Sequence, residues 1–459
     1  MEADVAIVGA GFSAIAVAVH LLRSLPPEAS IAVISDDPGF GRGTAYRTEF
    51  HLHRLNVPAG RMSLFPDEPN HFLDWLARQG RAVKAGDFAA RGDYGLYLRD
   101  TLASLLRARG QRARLDFVKA KAVDCVTCAS GGPTFALDTG ERLQASAVAL
   151  CLGLGNADLP LPPERCSTAA MPRIIANPWR LGWLSQIEPE DEICILGSGL
   201  TMVDQVLTLR AKGHRGQIHV LSRRGLVPHS HAADPVPPLQ PALPEGSLTL
   251  SRLLSALRAQ VRGGAEWRAV MDGLRPQTQA LWQRLPQAER ARFLRHALAW
   301  WNIHRHRIAP PVHRRFAALM EDGTVTVHAG FLSAIEPAHE GVTLRYRPRG
   351  GRGQMRLPVD WVINCTGMER AGLGHSPLLS DMAARAMISL DPLGLGLAVD
   401  DRSQVLDAAG QPQPGLFAVG ALTAGRFWEI TAVPDIRVQA KAVADAMSGI
   451  AALARGKAK

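Results

Sequence analysis

The sequence predicts an α/β protein, and two observations predict it. Twice, a short apolar run leads into a glycine-rich turn and then an apolar stretch of helical length. Residues 4–8 precede Gly9-Ala10-Gly11-Phe12-Ser13-Ala14, and residues 193–196 precede Gly197-Ser198-Gly199-Leu200-Thr201-Met202. Around both starts, apolar runs of strand length alternate with helical patterns, as a parallel sheet with crossover helices requires. The expected architecture is two nested Rossmann-like dinucleotide-binding domains with a helical insertion and a small antiparallel meander.

Residues 4–8 read as a buried strand, 12–22 as a helix and 30–34 as a second strand, which makes one βαβ start. Residues 36–65 are rich in Gly, Pro and turn formers and predict a long functional loop. Residues 71–78 and 93–107 read as helices. Residues 116–143 alternate, with Gly131-Gly132 between two runs, and predict the meander. Residues 148–152 form another apolar strand before the Pro-rich stretch 159–163. The second βαβ start begins at Ile193. Residues 228–244 are Pro-rich and read as a loop or boundary, and 251–301 as largely helical. Strands return at 325–328, 342–346, 361–364 and 415–419. Residues 434–451 form the final helix, with Pro434 at its first position. This divides the chain into residues 1–165, the first part of one dinucleotide-binding domain, and 166–350, a second such domain with the helical insertion around 249–318. Residues 351–459 complete the first domain.

Composition narrows the class. The chain has 459 residues, 47% of them hydrophobic, which argues against global disorder, a collagen-like chain or a small disulfide scaffold. Six cysteines over this length fit a reduced, cytoplasmic chain. The net charge is +10, carried mainly by Arg, but no block of like charge and no basic arm stands out. A general preference for Arg accounts for it, so no nucleic-acid partner is expected. Residues 5–22 are nearly continuously apolar. Glu2 and Asp4 precede them where a signal peptide needs positive charge, and Gly9, Gly11 and Ser13 interrupt them, so no membrane segment is expected.

The glycine-rich turns point to two nucleotides. Gly9 permits the tight turn, Gly11 lets backbone approach a pyrophosphate, and Ala14 allows close helix–strand packing; Phe12 and Ser13 open the helix. Asp36 follows about 20 residues after Ala14, the place of a ribose-binding acid. In the second turn Gly197, Gly199, Leu200 and Thr201 repeat the pattern, with Met202 at the third position. About 20 residues further stand Ser222, Arg223 and Arg224 rather than an acid, which suits the 2′-phosphate of NADPH. The usual pairing is FAD in the first site and NADPH in the second, with hydride passing from nicotinamide to flavin.

Together with these turns, further motifs carry a family resemblance. They are Gly41-Arg42-Gly43-Thr44-Ala45-Tyr46, Leu55-Asn56-Val57-Pro58-Ala59-Gly60-Arg61-Met62-Ser63, Asn177-Pro178-Trp179 and Ser222-Arg223-Arg224-Gly225. Trp301-Asn302-Ile303-His304-Arg305-His306-Arg307, Cys365-Thr366-Gly367 and Trp428-Glu429-Ile430-Thr431-Ala432-Val433-Pro434 complete the set. As a set spanning nearly the whole chain they resemble the FAD/NAD(P)-binding flavoproteins of the YdhS type, relatives of flavin-dependent N-hydroxylating and Baeyer–Villiger monooxygenases. Two departures stand out. The acid that ends the second strand in most FAD sites aligns with Ser35, one residue before Asp36. Gly420 is followed by Ala421 where related flavoproteins carry an acid.

The resemblance implies roles. The turns at Gly153 and Gly367 mark crossings between the two domains, and Gly420 brings backbone close to the flavin. The final helix, preceded by Thr431 and Ala432, aims its N-terminus at the flavin pyrimidine ring. Asn56, with Val57 and Met62 on the same loop, contacts the flavin ring edge or the NADP amide, and Arg61 holds an anionic substrate group or cofactor phosphate. Trp428 and Glu429 line the substrate pocket, with Glu429 placed to hold an amine or to form a structural ion pair. The implied activity is an NADPH-dependent, FAD-containing monooxygenase acting on a small nucleophilic amine and O₂ through a C4a-(hydro)peroxyflavin; the alternative is an NAD(P)H-dependent reductase without oxygen insertion. Homo-oligomerisation is left open.

Two clusters read as structural. His304 and His306 are two apart, which puts their rings on different helix faces and makes a poor metal site. With Arg305 and Arg307 they read as a solvated or interdomain helix end rather than a phosphate reader. Cys125 and Cys128 sit in the alternating segment with no helix N-terminus to lower a thiol pKa, which argues against a redox dithiol.

Overall fold

A computed structural model describes residues 1–37, 39–108, 111–127, 132–234, 236–246, 248–367, 373–374 and 376–458. Strands β1 (Glu2–Val8), β2 (Ser30–Ile34), β3 (Arg114–Val118), β4 (Ala122–Thr127), β5 (Thr134–Leu137) and β6 (Arg142–Leu150) build a first sheet. Strands β7 (Ile174–Ile175), β8 (Ile193–Leu196), β9 (Ile218–Ser222), β10 (Val325–Pro337), β11 (Val342–Pro348), β12 (Met355–Val359) and β13 (Trp361–Asn364) build a second. The chain then returns to the first sheet with β14 (Gln404–Leu406) and β15 (Pro412–Ala418). The helices are α1 (Phe12–Ser24), α2 (His71–Arg78), α3 (Arg91–Arg107), α4 (Leu200–Ala211) and an inserted group. That group is α5 (Leu250–Arg262), α6 (Trp267–Leu274), α7 (Thr278–Arg284), α8 (Gln287–His296), α9 (Leu298–Arg305) and α10 (Pro310–Glu321). Helices α11 (Pro377–Ala384) and α12 (Val433–Ala458) close the chain.

The first sheet runs in the order β14-β15-β6-β1-β2-β3, parallel except at β14–β15. Its strands are apolar on both faces because both faces are covered. Val5, Ile7 and Val33 pack under α1 and α12, while Ala6, Val8 and Ile34 pack under β4–β5 and α11. The second sheet repeats the scheme in the order β12-β11-β10-β9-β8-β13-β7. Ile193 and Ile195 face α4 and α10, and Cys194 and Leu196 face the antiparallel β10–β12 layer.

Three elements differ from expectation. Residues 114–118 complete the parallel sheet beside β2 rather than opening the meander. Their alternation comes from an edge position, where Phe117 is 53% exposed. Strand β6 starts at Arg142, because its first half pairs antiparallel with β5 while its length runs parallel to β1. Strand β10 likewise runs to Pro337, parallel to β9 and then antiparallel to β11. Cys125 is buried on β4, whereas Cys128 and Gly131 lie outside the described residues.

Candidate functional site

The two glycine-rich turns have the same construction. The Gly9 amide donates to the Ile34 carbonyl and the Cys151 amide to Val8. The Gly197 amide donates to Leu221, and Cys365 to Leu196. Gly9 and Gly197 have φ of 127° and 95°, and a Cβ on either would run into the carbonyl of Cys151 or Cys365 respectively. Only glycine meets both demands. Gly11 and Gly199 cap α1 and α4 without any side-chain hydrogen bond, and a Cβ on either would meet open space. Unpaired helix N-terminal amides facing open space are the donors a pyrophosphate needs. Ala14 and Met202 are both fully buried, so the second helix accommodates the longer side chain within its core.

The same register pairs Ser35 with Ser222 and Asp36 with Arg223. Around the first turn, Ser35 Oγ accepts from the Asp37 amide (3.1 Å), and Asp37 caps the Gly39 amide (2.8 Å) and pairs with Arg47. Asp36 is 56% exposed and lies 3.3 Å from Lys121. Gly420, at φ 82°, sits where a Cβ would strike Ser13 Oγ, and its amide donates to Gln439 Oε1 (2.8 Å). That bond ties the β15 end to α12 beside the first turn. Gly153, at φ 71°, also faces open space.

The second turn opens on a cleft of about 1000 Å³ lined by Gly197, Gly199, Leu200, Thr201, Ser222, Arg223, Arg224 and Gly367. Ser198 Oγ donates to Ser222 Oγ, which in turn accepts from the Gly225 amide (3.0 Å) and shapes the arginine turn. Arg224 donates to the His296 carbonyl (3.3 Å), and Arg223 is exposed with no carboxylate partner among the described residues. Arg295 and Arg349 line the same cleft. Sequence reasoning missed both; a basic hairpin tip at Arg347-Pro348-Arg349-Gly350 was the available signal for Arg349. The crossing segments are pinned to each other here: Ala157 donates to the Gly367 carbonyl, and Asn364 Nδ2 to that of Ala157 (2.7 Å).

A second space, about 1020 Å³, lies between the 54–62 loop, the inserted helices and the start of α12. Asn56, Val57, Arg61, Met62, Glu429, Thr431 and Ala432 line it. His306 lines both this cleft and the arginine cleft, so the two meet there. His231, unsuspected within its Pro-rich loop, donates from Nε2 to the Asn56 carbonyl (3.0 Å). Burial, reinforced by Arg307, lowers its pKa to about 4, so the ring is neutral. The carboxylates lining this cleft are all engaged: Asp272 by Arg307, Asp435 by Arg275, Glu429 by Arg305, and Asp87 by the Lys84 amide. Arg61 is exposed and, among the described residues, unpaired.

Of the two expected pocket residues, Glu429 lines the cleft as the ion-pair member of its two alternatives, and Trp428 is placed elsewhere. Glu429 accepts from Trp301 Nε1 (2.8 Å) and Arg305 (2.9 Å), with His306 at 3.5 Å. Burial pushes its pKa up, but His306 and Arg305 outweigh that and hold it at about 2. It is the partner of an arginine, not a free acceptor for an amine, and it holds φ 62°, a strained setting for a non-glycine residue. Trp428 stacks on Trp282 (4.4 Å, 19°) and meets Phe293 edge-on, so it packs the insertion against the C-terminal segment. It lines neither cleft. Arg305 and Arg307 are likewise buried in ion pairs rather than solvated.

Comparison with known proteins agrees with this architecture. Residues 6–155 match a family model described as FAD-NAD(P)-binding, and residues 383–433 match one described as an FAD binding domain. No curated protein matches the chain. Among solved structures, L-lysine 6-monooxygenase from Pseudomonas syringae is 17% identical with a TM-score of 0.68, covering 98% of this chain and 99% of that one. The FAD-bound cadaverine monooxygenase of desferrioxamine biosynthesis from Erwinia amylovora is 13% identical with a TM-score of 0.68, over 98% and 95%. Ornithine hydroxylase from Pseudomonas aeruginosa, in its reduced form, is 15% identical with a TM-score of 0.67, over 98% and 100%. At these identities the likeness establishes the fold. The chain carries FAD- and NAD(P)-binding regions in the mixed α/β fold of these flavoproteins. No helix among the described residues is long and apolar enough to cross a membrane.

Proposed function

We propose that this protein is an FAD- and NADPH-dependent oxidoreductase, and specifically a monooxygenase that oxygenates a small nucleophilic amine. The observation that carries the reading is the pair of like-built glycine turns with opposite charges, Asp36 at one and Arg223-Arg224 at the other. The solved structures named above, which act on lysine, cadaverine and ornithine, support the amine class by analogy alone. The motif set supports placing the chain with the YdhS-type flavoproteins, and the low cysteine content of the sequence supports a cytoplasmic location.

In this reading the α1 N-terminus, with Gly9, Gly11, Phe12, Ser13 and Ala14, holds the FAD pyrophosphate, and Asp36 or Ser35 faces the ribose. Gly153 leaves room for the cofactor, Gly420 brings backbone beside the first turn, and Thr431 and Ala432 at the head of α12 face the ring, where the helix dipole favours negative charge. Asn56, Val57 and Met62 flank it. Gly197, Gly199, Leu200, Thr201, Ser222 and Gly367 hold NADPH, with Arg223, Arg224 and Arg349 on its 2′-phosphate. When bound, FAD supplies the redox and oxygen chemistry, including the C4a-(hydro)peroxyflavin the resemblance implies. The chain binds, orients and excludes water. Arg61, an exposed cation of the cleft with no carboxylate partner among the described residues, holds an anionic group of the substrate.

Stopped-flow absorbance tests this. The FAD-loaded protein is reduced with NADPH and mixed with oxygenated buffer, with and without L-lysine, L-ornithine or cadaverine. A long-lived near-ultraviolet species distinct from oxidised flavin is expected. Direct return to oxidised flavin with peroxide release, under every one of these conditions, would leave a reductase without oxygen insertion.

A further inference from the structure

The helical insertion contains a cavity that neither nucleotide cleft uses. It encloses about 890 Å³ between α5, α6, α8 and α9. Its walls are apolar: Leu253, Leu257 and Val261 of α5, Val270 of α6, and Trp300 and Trp301 of α9. Val261 and Trp300, which both line it, are 38% and 48% exposed, so part of this apolar lining faces solvent.

The charged lining is of one sign. Arg258, Arg262 and Arg292 line the cavity with His296 and His304, and no Asp or Glu does. Arg258 and Arg262 stand one turn apart on α5, where like charges repel. Both are exposed and have no carboxylate partner among the described residues. The C-terminal dipole of α5 accounts for Arg262 alone. Arg292 has only a loose contact with Glu289, at 3.7 Å. An apolar trough with unneutralised guanidinium groups at its edge is complementary to a molecule with an apolar chain and an anionic head.

We infer that this cavity binds a medium-chain aliphatic carboxylate, with its chain along Leu253, Leu257, Val270 and Trp301 and its carboxylate at Arg258 and Arg262. The occupant lies one side chain from the central cleft, because Trp301 forms a wall here and donates to Glu429 on its other side.

The test is titration of the full-length, FAD-loaded protein with dodecanoate below its micellar concentration, read by calorimetry and by the fluorescence of the wall tryptophans. Saturable binding of one equivalent is expected. Dodecyltrimethylammonium, with the same chain and opposite head, should bind about tenfold or more weakly, as should dodecanoate to the Arg258→Gln/Arg262→Gln double variant. Both substitutions are on exposed helix positions, and FAD content and the rate of flavin reduction by NADPH should be unchanged. Val261→Glu, tested separately, should weaken dodecanoate binding by blocking the trough. Equal binding of the two amphiphiles, or unaltered binding by the double variant, would overturn the proposal. So would loss of dodecanoate binding in Arg61→Ala, which would move the ligand to the central cleft. A concentration-dependent dimer that Val261→Glu dissociates, with no dodecanoate bound, would mean that a second copy of the chain covers this face instead.

Discussion

The two glycine-rich turns share a backbone plan and differ in what stands at the end of the second strand. Each first glycine is forced by positive φ and by a neighbouring carbonyl, and each second glycine caps a helix over open space. At the same structural position one turn carries Asp36 and the other Arg223. The pairing teaches that, on the proposed reading, the geometry offered to a pyrophosphate is indifferent to which dinucleotide brings it. The discriminating charge is added separately, on a turn whose conformation hydroxyls hold: Ser35 Oγ accepting from Asp37, and Ser222 Oγ from Gly225.

The sharpest way to break this comparison is to spoil each turn in the same way. Gly9→Ala should yield protein that no longer retains FAD, read as lost flavin absorbance. Gly197→Ala should keep FAD and lose NADPH-driven flavin reduction by about 100-fold or more. If both variants lost the same cofactor, the division of labour between the turns would fail. The next effect concerns the seam between the inserted helices and the C-terminal segment. Arg305 and Glu429 are each 9% exposed, and Glu429→Ala strands the arginine. Urea denaturation should show a loss of about 3–5 kcal/mol.

Arg223→Ala sharpens the charge contrast. It should raise the NADPH KM about 10- to 100-fold, the equivalent of about 1.5–3 kcal/mol for a charge-assisted contact, while the NADH KM barely moves. Equal change for both coenzymes would remove the 2′-phosphate assignment. The smallest effect is a pH slope. Burial, reinforced by Arg307, holds His231 at about 4 against an ordinary 6.5, so folding favours its neutral form. That stabilisation is complete above about pH 6.5 and is lost as pH falls from there through 4. His231→Gln should therefore flatten the fall in Tm between pH 7 and 5. His20, also held at about 4 by burial and by Arg23, should leave a residual slope.

Much of the fold was legible because it is written in short-range terms. Apolar runs, glycines at positive φ and helix periodicity each act within a few residues, and they located β1, α1, β2, β8, α4 and both turns. The insertion and the final helix were equally readable. What misled was pairing at a distance: an edge strand alternates like a meander, so β3 was misread, and β6 and β10 change partners along their length. The glycines proposed to face the cofactors stood in motifs and could be found one by one. His231, Arg349 and Gln439 stand in none.

The sequence by itself determined that this chain has two dinucleotide-type turns, their order, and the acid and arginines that tell them apart. Steric limits on the backbone and the charge of adjacent residues decide those features locally. Tertiary structure decided the rest. It gave the Glu429 carboxylate to Arg305, 124 residues earlier in the chain, and left Arg61, among the described residues, unpaired in the same cleft. It turned Trp428 into packing against Trp282 and set His306 where the two clefts meet. A side chain's partners depend on which distant segments the sheets bring beside it, and no local pattern records that.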